Sequence, residues 1–191
     1  MMEIERAKTT LGEEFSFFCD LVQSHLQRLA LDHSARILDV GTGKGRAAIT
    51  MALCGYQVLT GEPADDSSAY AKQAWLDDAR EVGADGAITY QPFDAQALPF
   101  EDAAFDAVFM LGALHHMDDP AAAVRECVRV LGSGGVLCIL EPTAALVARA
   151  RTKFPQHPDP VDPTPLVEGL RLQTTHGEMF DVHEIRAPGQ G

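Results

Sequence analysis

Positive charge is scarce in this chain. Of 191 residues, 15 are Lys or Arg and 28 are Asp or Glu, a formal net charge of −13 with His neutral. Binding to a phosphate backbone depends on Lys and Arg displacing counterions, so this balance opposes a nucleic-acid partner. It opposes an anionic membrane surface for the same reason. Cationic or neutral small molecules stay open as ligands. Long apolar runs are missing too, and no stretch reaches the ~20 residues of a membrane span. Residues 1–10 alternate charges with no apolar core, so they are not read as a secretory leader. Cysteine is sparse: Cys19, Cys54, Cys127 and Cys138 form no C-x-x-C pair, and three sit in apolar stretches. They are read as free thiols in a reducing compartment, and the expected localisation is cytoplasmic. The one tryptophan, Trp75, has Ala71 and Leu76 nearby on a predicted helix and is read as core.

What is present is the balance of a globular chain, 46% hydrophobic and 23% charged. The length suits one sizeable core and is short for two ordinary domains. Phe15, Phe18, Leu21, Val22, Leu26 and Leu29 recur at helical spacing and predict a helix over 13–31. Core packing is the simplest use of that face, and a lid over a ligand is the second. Glu13, Glu14 and Asp20 make its polar side acidic, against a membrane-surface helix.

Strands are predicted at 36–39, 57–60, 87–90, 105–111 and 136–140. Helices are predicted at 46–54, closed by Gly55; at 67–82, capped from Asp65 or Asp66; and at 121–131, with Pro120 in the first turn. The 105–111 run is apolar on both sides and reads as a central strand. Gly132, Gly134 and Gly135 read as a turn. Strands alternating with helices across short connections predict βαβ units and a parallel sheet, an α/β fold. Further on come a helix over 144–154, a proline-rich connector over 155–165, and two closing strands at 170–174 and 180–185 around a His176-Gly177 turn. The connector has P-x-x-P spacing without flanking basic residues. The expected organisation is an N-terminal helical segment, 1–35, one domain, 36–187, and a loose tail, 188–191.

The strongest motif is Ile37-Leu38-Asp39-Val40-Gly41-Thr42-Gly43-Lys44-Gly45, a strand running into a glycine-rich turn that opens a helix. Glycine accepts backbone angles that other residues avoid, and lets the main chain approach a ligand with no Cβ in the way. The dinucleotide fingerprint has glycine at the first, third and sixth places. Here the third glycine comes at the fifth place, and position 46 is Arg. With Asp39 two residues before the first glycine, the turn suits a ligand bearing an amino group better than a pyrophosphate.

Three further segments stand in order behind it. They are Gly61-Glu62-Pro63; Phe93-Asp94-Ala95-Gln96-Ala97-Leu98-Pro99-Phe100 with Phe105-Asp106-Ala107-Val108; and Leu114-His115-His116-Met117-Asp118-Asp119-Pro120 with Val130-Leu131-Gly132-Ser133-Gly134-Gly135. With these four segments, residues 36–142 resemble the class I S-adenosylmethionine-dependent methyltransferases. The similarity is to the small-molecule branch related to ubiquinone and menaquinone biosynthesis enzymes.

The resemblance implies a Rossmann-like doubly wound, mostly parallel sheet of about seven strands with helices on both faces. It implies S-adenosylmethionine as cofactor and a small-molecule methyl acceptor, in a monomer or homodimer. Gly41, Thr42, Gly43 and Gly45 would line the methionine part, and Asp39 would face its ammonium group; the plainer role of Asp39 is to cap the turn. Glu62, 19 positions after Gly43, would accept from the ribose hydroxyls. Its plainer reading is membership with Asp65 and Asp66 of an acidic cluster before a helix. Asp94 would accept from the adenine amino group and Ala95 would offer its N–H; otherwise Asp94 is an ordinary loop residue. Leu111 and Gly112 would border the sulfonium.

His115 and His116 follow the fourth strand, where ligands collect in open α/β sheets, and are the catalytic candidates if the acceptor must lose a proton. A structural turn is the plainer reading. Adjacent ligands on a tight turn rarely converge, so no metal is expected on His115, His116, Asp118 and Asp119. His157, His176 and His183 are scattered and read as surface or turn residues.

Two competing functions stay open: a binding module that holds the cofactor without turnover, and a nucleotide-dependent oxidoreductase. The glycine spacing and the Asp94 segment oppose the oxidoreductase. A nucleic-acid methyltransferase is opposed by charge and by the lack of an Asn/Asp-Pro-Pro-aromatic motif after the fourth strand.

Overall fold

Short apolar strands need two covered faces, and this chain supplies helices between nearly all of them. The computed structural model describes residues 2–64 and 74–189. Its strands form a seven-stranded, mostly parallel sheet in the order β3-β2-β1-β4-β5-β7-β6, numbered along the chain. Two compact units, Met1–Phe93 and Asp94–Gly191, divide the chain.

In the first unit, α1 spans Met2–Leu29. It begins well before residue 13 because Ile4, Ala7 and Leu11 carry the apolar face one stretch further back. Ile4 and Ala7 are buried in the same cluster as Phe15 and Cys19. Gly12 breaks the helix with φ 84° and ψ −175°. Lys8, before the break, pairs with Asp20 after it. β1 (Ile37–Val40) is buried throughout and pairs in parallel with β2 (Val58–Gly61), which pairs in parallel with β3 (Ile88–Tyr90). Between them runs α2 (Arg46–Leu53). Arg46 reaches Glu14 of α1 and lies 4.5 Å over the Phe18 ring, which ties α1 to the start of α2. α3 (Trp75–Glu81) is the C-terminal part of the helix expected at 67–82. The earlier part and its caps, Asp65 or Asp66, lie outside the described residues.

In the second unit, β4 (Phe105–Leu111) and β5 (Leu131–Pro142) are parallel. β7 (Phe180–Arg186) runs antiparallel to β5, and β6 (Arg171–Thr175) antiparallel to β7. α4 (Pro120–Arg129) starts with Asp119, whose Oδ1 accepts from the Ala122 N–H at 2.9 Å. It ends at Arg129 because Leu131 already opens β5.

The glycines expected to turn before the fifth strand lie inside it. Phe105 pairs with Leu131 but Ala107 pairs with Val136, so a bulge absorbs Gly132, Gly134 and Gly135. α5 (Ala144–Ala150) is shorter than the helix expected to 154. Arg129 clamps the segment before β4 onto α4: it donates to Glu126, Asp102 and the carbonyls of Leu98 and Phe100. Glu126 also accepts from the Leu98 N–H at 2.9 Å.

Cys19, Cys127 and Cys138 are buried and all four cysteines are free thiols. Among the described residues no helix is long and apolar enough to cross a membrane.

Gly61 is fixed by a close approach. A Cβ there would lie 1.9 Å from the Gln91 carbonyl oxygen and 2.5 Å from the Phe93 ring. Gly61→Ala is expected to lower unfolding free energy by about 3 kcal/mol through overpacking. Urea denaturation checks this, and an unchanged midpoint would show that the β2 end shifts freely.

Candidate functional site

The turn after β1 is built on left-handed glycines: φ is 89° at Gly41, 48° at Gly43 and 69° at Gly45. Side chains rarely adopt these angles, which accounts for the motif. Gly45 begins α2 with no side-chain cap. The Gly41 N–H donates to the Gly61 carbonyl at 2.9 Å, extending the β1–β2 pairing into the turn.

Beneath the turn sits a buried polar relay. Asp39 is 1% exposed. Its Oδ2 accepts from the Thr60 hydroxyl at 2.8 Å, and the Thr60 and Thr42 hydroxyls lie 2.9 Å apart. With the Thr60 proton on Asp39, Thr42 donates to Thr60. Asp39 Oδ1 is buried with no hydrogen-bond partner. Burial pushes the Asp39 carboxyl up to about 7; the Thr60 hydroxyl opposes the rise and the negative Glu62 adds to it. Glu62, at the end of β2, is also buried, and its Oε2 accepts from the Gly43 N–H at 3.0 Å. So Asp39, Thr42, Gly43 and Glu62 converge at the carboxyl ends of β1 and β2.

The other expected residues belong to the second unit. Asp94 is exposed and closes a tight turn: its Oδ1 accepts from the Gln96 N–H at 2.8 Å and from the Gln96 amide at 3.1 Å. Ala95 is buried. The Gln96 side-chain Oε1 accepts from the Asp119 N–H at 2.7 Å, joining this turn to the start of α4. Leu111 ends β4, and Gly112 follows with φ 60°. The Gly112 N–H donates to the Leu140 carbonyl at 2.8 Å.

His115 and His116 lie in a single 3-10 turn past β4, spanning Leu114–His116. The His115 side chain is buried and its Nδ1 lies 3.0 Å from Glu141 Oε2 and 3.1 Å from Oε1. The acceptor is a carboxylate, so Nδ1 carries the proton and donates. Glu141 Oε2 also accepts from the Val161 N–H at 3.2 Å. His116 is exposed, its ring 4.1 Å from that of His115.

Sequence reasoning missed Thr60, Gln96, Glu141 and His157. Glu141 had a signal: like Glu62, it is a carboxylate ending an apolar strand. His157 had none, because the connector brings it back over a distance that spacing does not encode. Its ring lies 5.1 Å from His115 and 5.2 Å from His116. His183 is no surface residue either: it is buried on β7 beside the Thr174 hydroxyl, and burial lowers its pKa. His176 is exposed, as expected, and pairs with Asp181.

The raised Asp39 pKa sets a sign for stability. The folded, ligand-free protein holds a proton that the unfolded chain releases near its ordinary value of 3.8. Stability is therefore greatest below that value and falls as pH rises to about 7. Asp39→Asn removes this loss. It is expected to match wild type at pH 4 and to exceed it by about 2 kcal/mol at pH 8. Paired urea melts at the two pH values check this; a variant weaker at both would overturn it.

The methyltransferase domain family matches residues 38–139. The chain is 35% identical over 111 residues to 27-O-demethylrifamycin SV methyltransferase of Amycolatopsis mediterranei, across 58% of this chain and 40% of that one. It is 30% identical over 169 residues to the O-methyltransferase rstn1 of Aspergillus nomiae, across 84% of this chain and 72% of that one. It therefore spans less than half of the first relative's length. The structure of a SAM-dependent methyltransferase from Aquifex aeolicus superposes with a TM-score of 0.66 at 17% identity, covering 86% of this chain and 88% of that one, and so shares the fold. With the glycine turn, the Asp39 relay and a match over more than half its length, the chain belongs to the S-adenosylmethionine-dependent methyltransferase family.

Proposed function

We propose that the protein transfers a methyl group from S-adenosylmethionine to a hydroxyl group on a small molecule, within a domain spanning 36–187 behind a helical segment, 1–35. The observation that carries this reading is Asp39: a buried carboxylate with an unpartnered oxygen, beside a turn whose glycines keep the backbone bare. A buried acceptor without a partner is a standing cost, which a cationic donor removes. The cofactor's ammonium group is such a donor, so the residues present fit the group. When bound, the cofactor supplies a methyl group already activated as a sulfonium. The relatives above are named for O-methylation, which supports a hydroxyl acceptor.

The chain's own residues divide the work. Asp39 holds the ammonium, and the backbone of Gly41, Thr42, Gly43 and Gly45 lies along the methionine part. Glu62 spends one oxygen on the Gly43 N–H. Glu62 is the carboxylate that accepts from the ribose hydroxyls. Asp94 accepts from the adenine amino group and the Ala95 N–H faces the ring. Leu111 and Gly112 border the sulfonium. His115 takes the acceptor's proton at Nε2 while Glu141 holds its Nδ1–H, an arrangement that fixes tautomer and ring orientation together. His116 stands beside it at the open side of the turn. Alignment of acceptor, carbon and sulfur supplies the rest of the rate.

Calorimetric titration tests the reading. S-adenosylmethionine and S-adenosylhomocysteine are expected to bind and NADH to give no heat. Glu62→Ala and Asp94→Ala should each weaken the adenosyl ligands tenfold or more, about 1.4 kcal/mol. Affinity should rise with pH through about 7, as Asp39 ionises. Absence of adenosyl binding by folded protein would overturn the reading. Binding without turnover across a panel of hydroxylated small molecules would leave a cofactor-holding module in its place.

A further inference from the structure

His115, His116 and His157 each bring one ring nitrogen within 4.8 Å of the others. Three imidazoles packed this closely have nothing to donate to one another once each neutral ring has its single proton elsewhere. Two of those protons are accounted for. His115 Nδ1–H points to the Glu141 carboxylate. His157 Nδ1 lies 3.0 Å from the Pro158 carbonyl oxygen, which only accepts, so that nitrogen is the donor. In both rings the lone pair is left on Nε2.

We propose that His115, His116 and His157 form a binding site for one divalent transition-metal cation, with Glu141 as the outer carboxylate that orients His115. Imidazole nitrogen selects zinc and its neighbours over magnesium or calcium. Three protein ligands with a further position open is the pattern of reactive zinc sites. A carboxylate on the far nitrogen of a ligating histidine is the usual supporting contact. Zn–N bonds of 2.0–2.1 Å at tetrahedral angles put ligand nitrogens roughly 3.3 Å apart. The nitrogens close by up to roughly 1.5 Å, which rotation of the exposed His116 side chain and small shifts of the other two rings supply. Formal charge of −13 favours cation entry. Asp119 is spent on capping α4 and is not counted as a ligand.

The site lies at the carboxyl ends of β4 and β5, where His115 follows one strand and Glu141 sits in the other. The metal site rests on the proposed function only for the acceptor that it would hold, and it replaces the base role given to His115 there. With the cation bound, His115 is a ligand and no longer a base. The open position then takes an oxygen donor from the acceptor, so acceptors able to offer a hydroxyl or phenolate oxygen fit best.

The test uses the full chain, freed of metal with a chelator. Zinc is titrated by calorimetry and cobalt by its visible d–d absorption, with S-adenosylhomocysteine titrated on the same samples. One zinc per chain and tetrahedral cobalt bands are expected. His157→Ala and His116→Ala, as independent removals, should each weaken zinc at least a hundredfold. Glu141→Gln should weaken it roughly tenfold. No saturable one-to-one binding would overturn the site, as would zinc affinity unchanged in His157→Ala. S-adenosylhomocysteine binding without zinc binding would sink the metal site alone. Zinc binding without S-adenosylhomocysteine binding would leave the metal site standing and remove the methyltransferase reading.

Discussion

The Asp39 carboxylate is the constraint on which the first unit turns. Removing a carboxylate from water is expensive, and its pKa, raised to about 7, records that expense. Thr60 offsets part of it from the neighbouring strand, and Thr42 extends the relay into the turn. Glu62 does the converse job, accepting the Gly43 N–H of the left-handed turn. The two carboxylates and the turn define one another. Without Glu62 the turn loses an anchor, and without the turn Asp39 is simply a misplaced charge. The unpartnered Asp39 oxygen leaves the arrangement unfavourable on its own.

The second unit repeats the device with different chemistry. Glu141 lies near the end of β5 as Glu62 lies just past β2, and each is buried. Glu141 holds His115 on one side and the Val161 N–H of the connector on the other. That second contact matters, because the connector carries His157. The same carboxylate therefore orients one imidazole and tethers the segment that delivers another. Arg129 and Glu126 are the matching clamp on the approach to β4. Their hydrogen bonds to the Leu98 and Phe100 carbonyls and the Leu98 N–H keep the Asp94–Gln96 turn attached to α4. These are charged groups used for position, at the rim of the unit, where the ion pairs themselves add little stability.

Much of the fold was legible in the residues. β4 falls at 105–111 as its apolar run predicts, and the closing hairpin of β6 and β7 follows its turn signal. Two departures have clear causes. α1 extends to Met2 because Ile4 and Ala7 continue a face interrupted by one glycine, and a window centred on the stronger run misses them. The Gly132–Gly135 stretch reads as a turn from composition, yet the strand passes through it as a bulge, since glycine serves both.

The sequence by itself determined the glycine turn, the acidic residues before and after it, and the alternation of strands and helices. Each depends on local backbone angles or on periodicity, which a linear chain displays directly. Tertiary structure alone decided that Thr60 serves Asp39, that Glu141 serves His115, and that His157 joins two histidines some forty positions earlier. Those pairings arise from which strands lie side by side and where a connector returns. Loop closure sets no fixed separation in sequence for such meetings, so no spacing rule announces them.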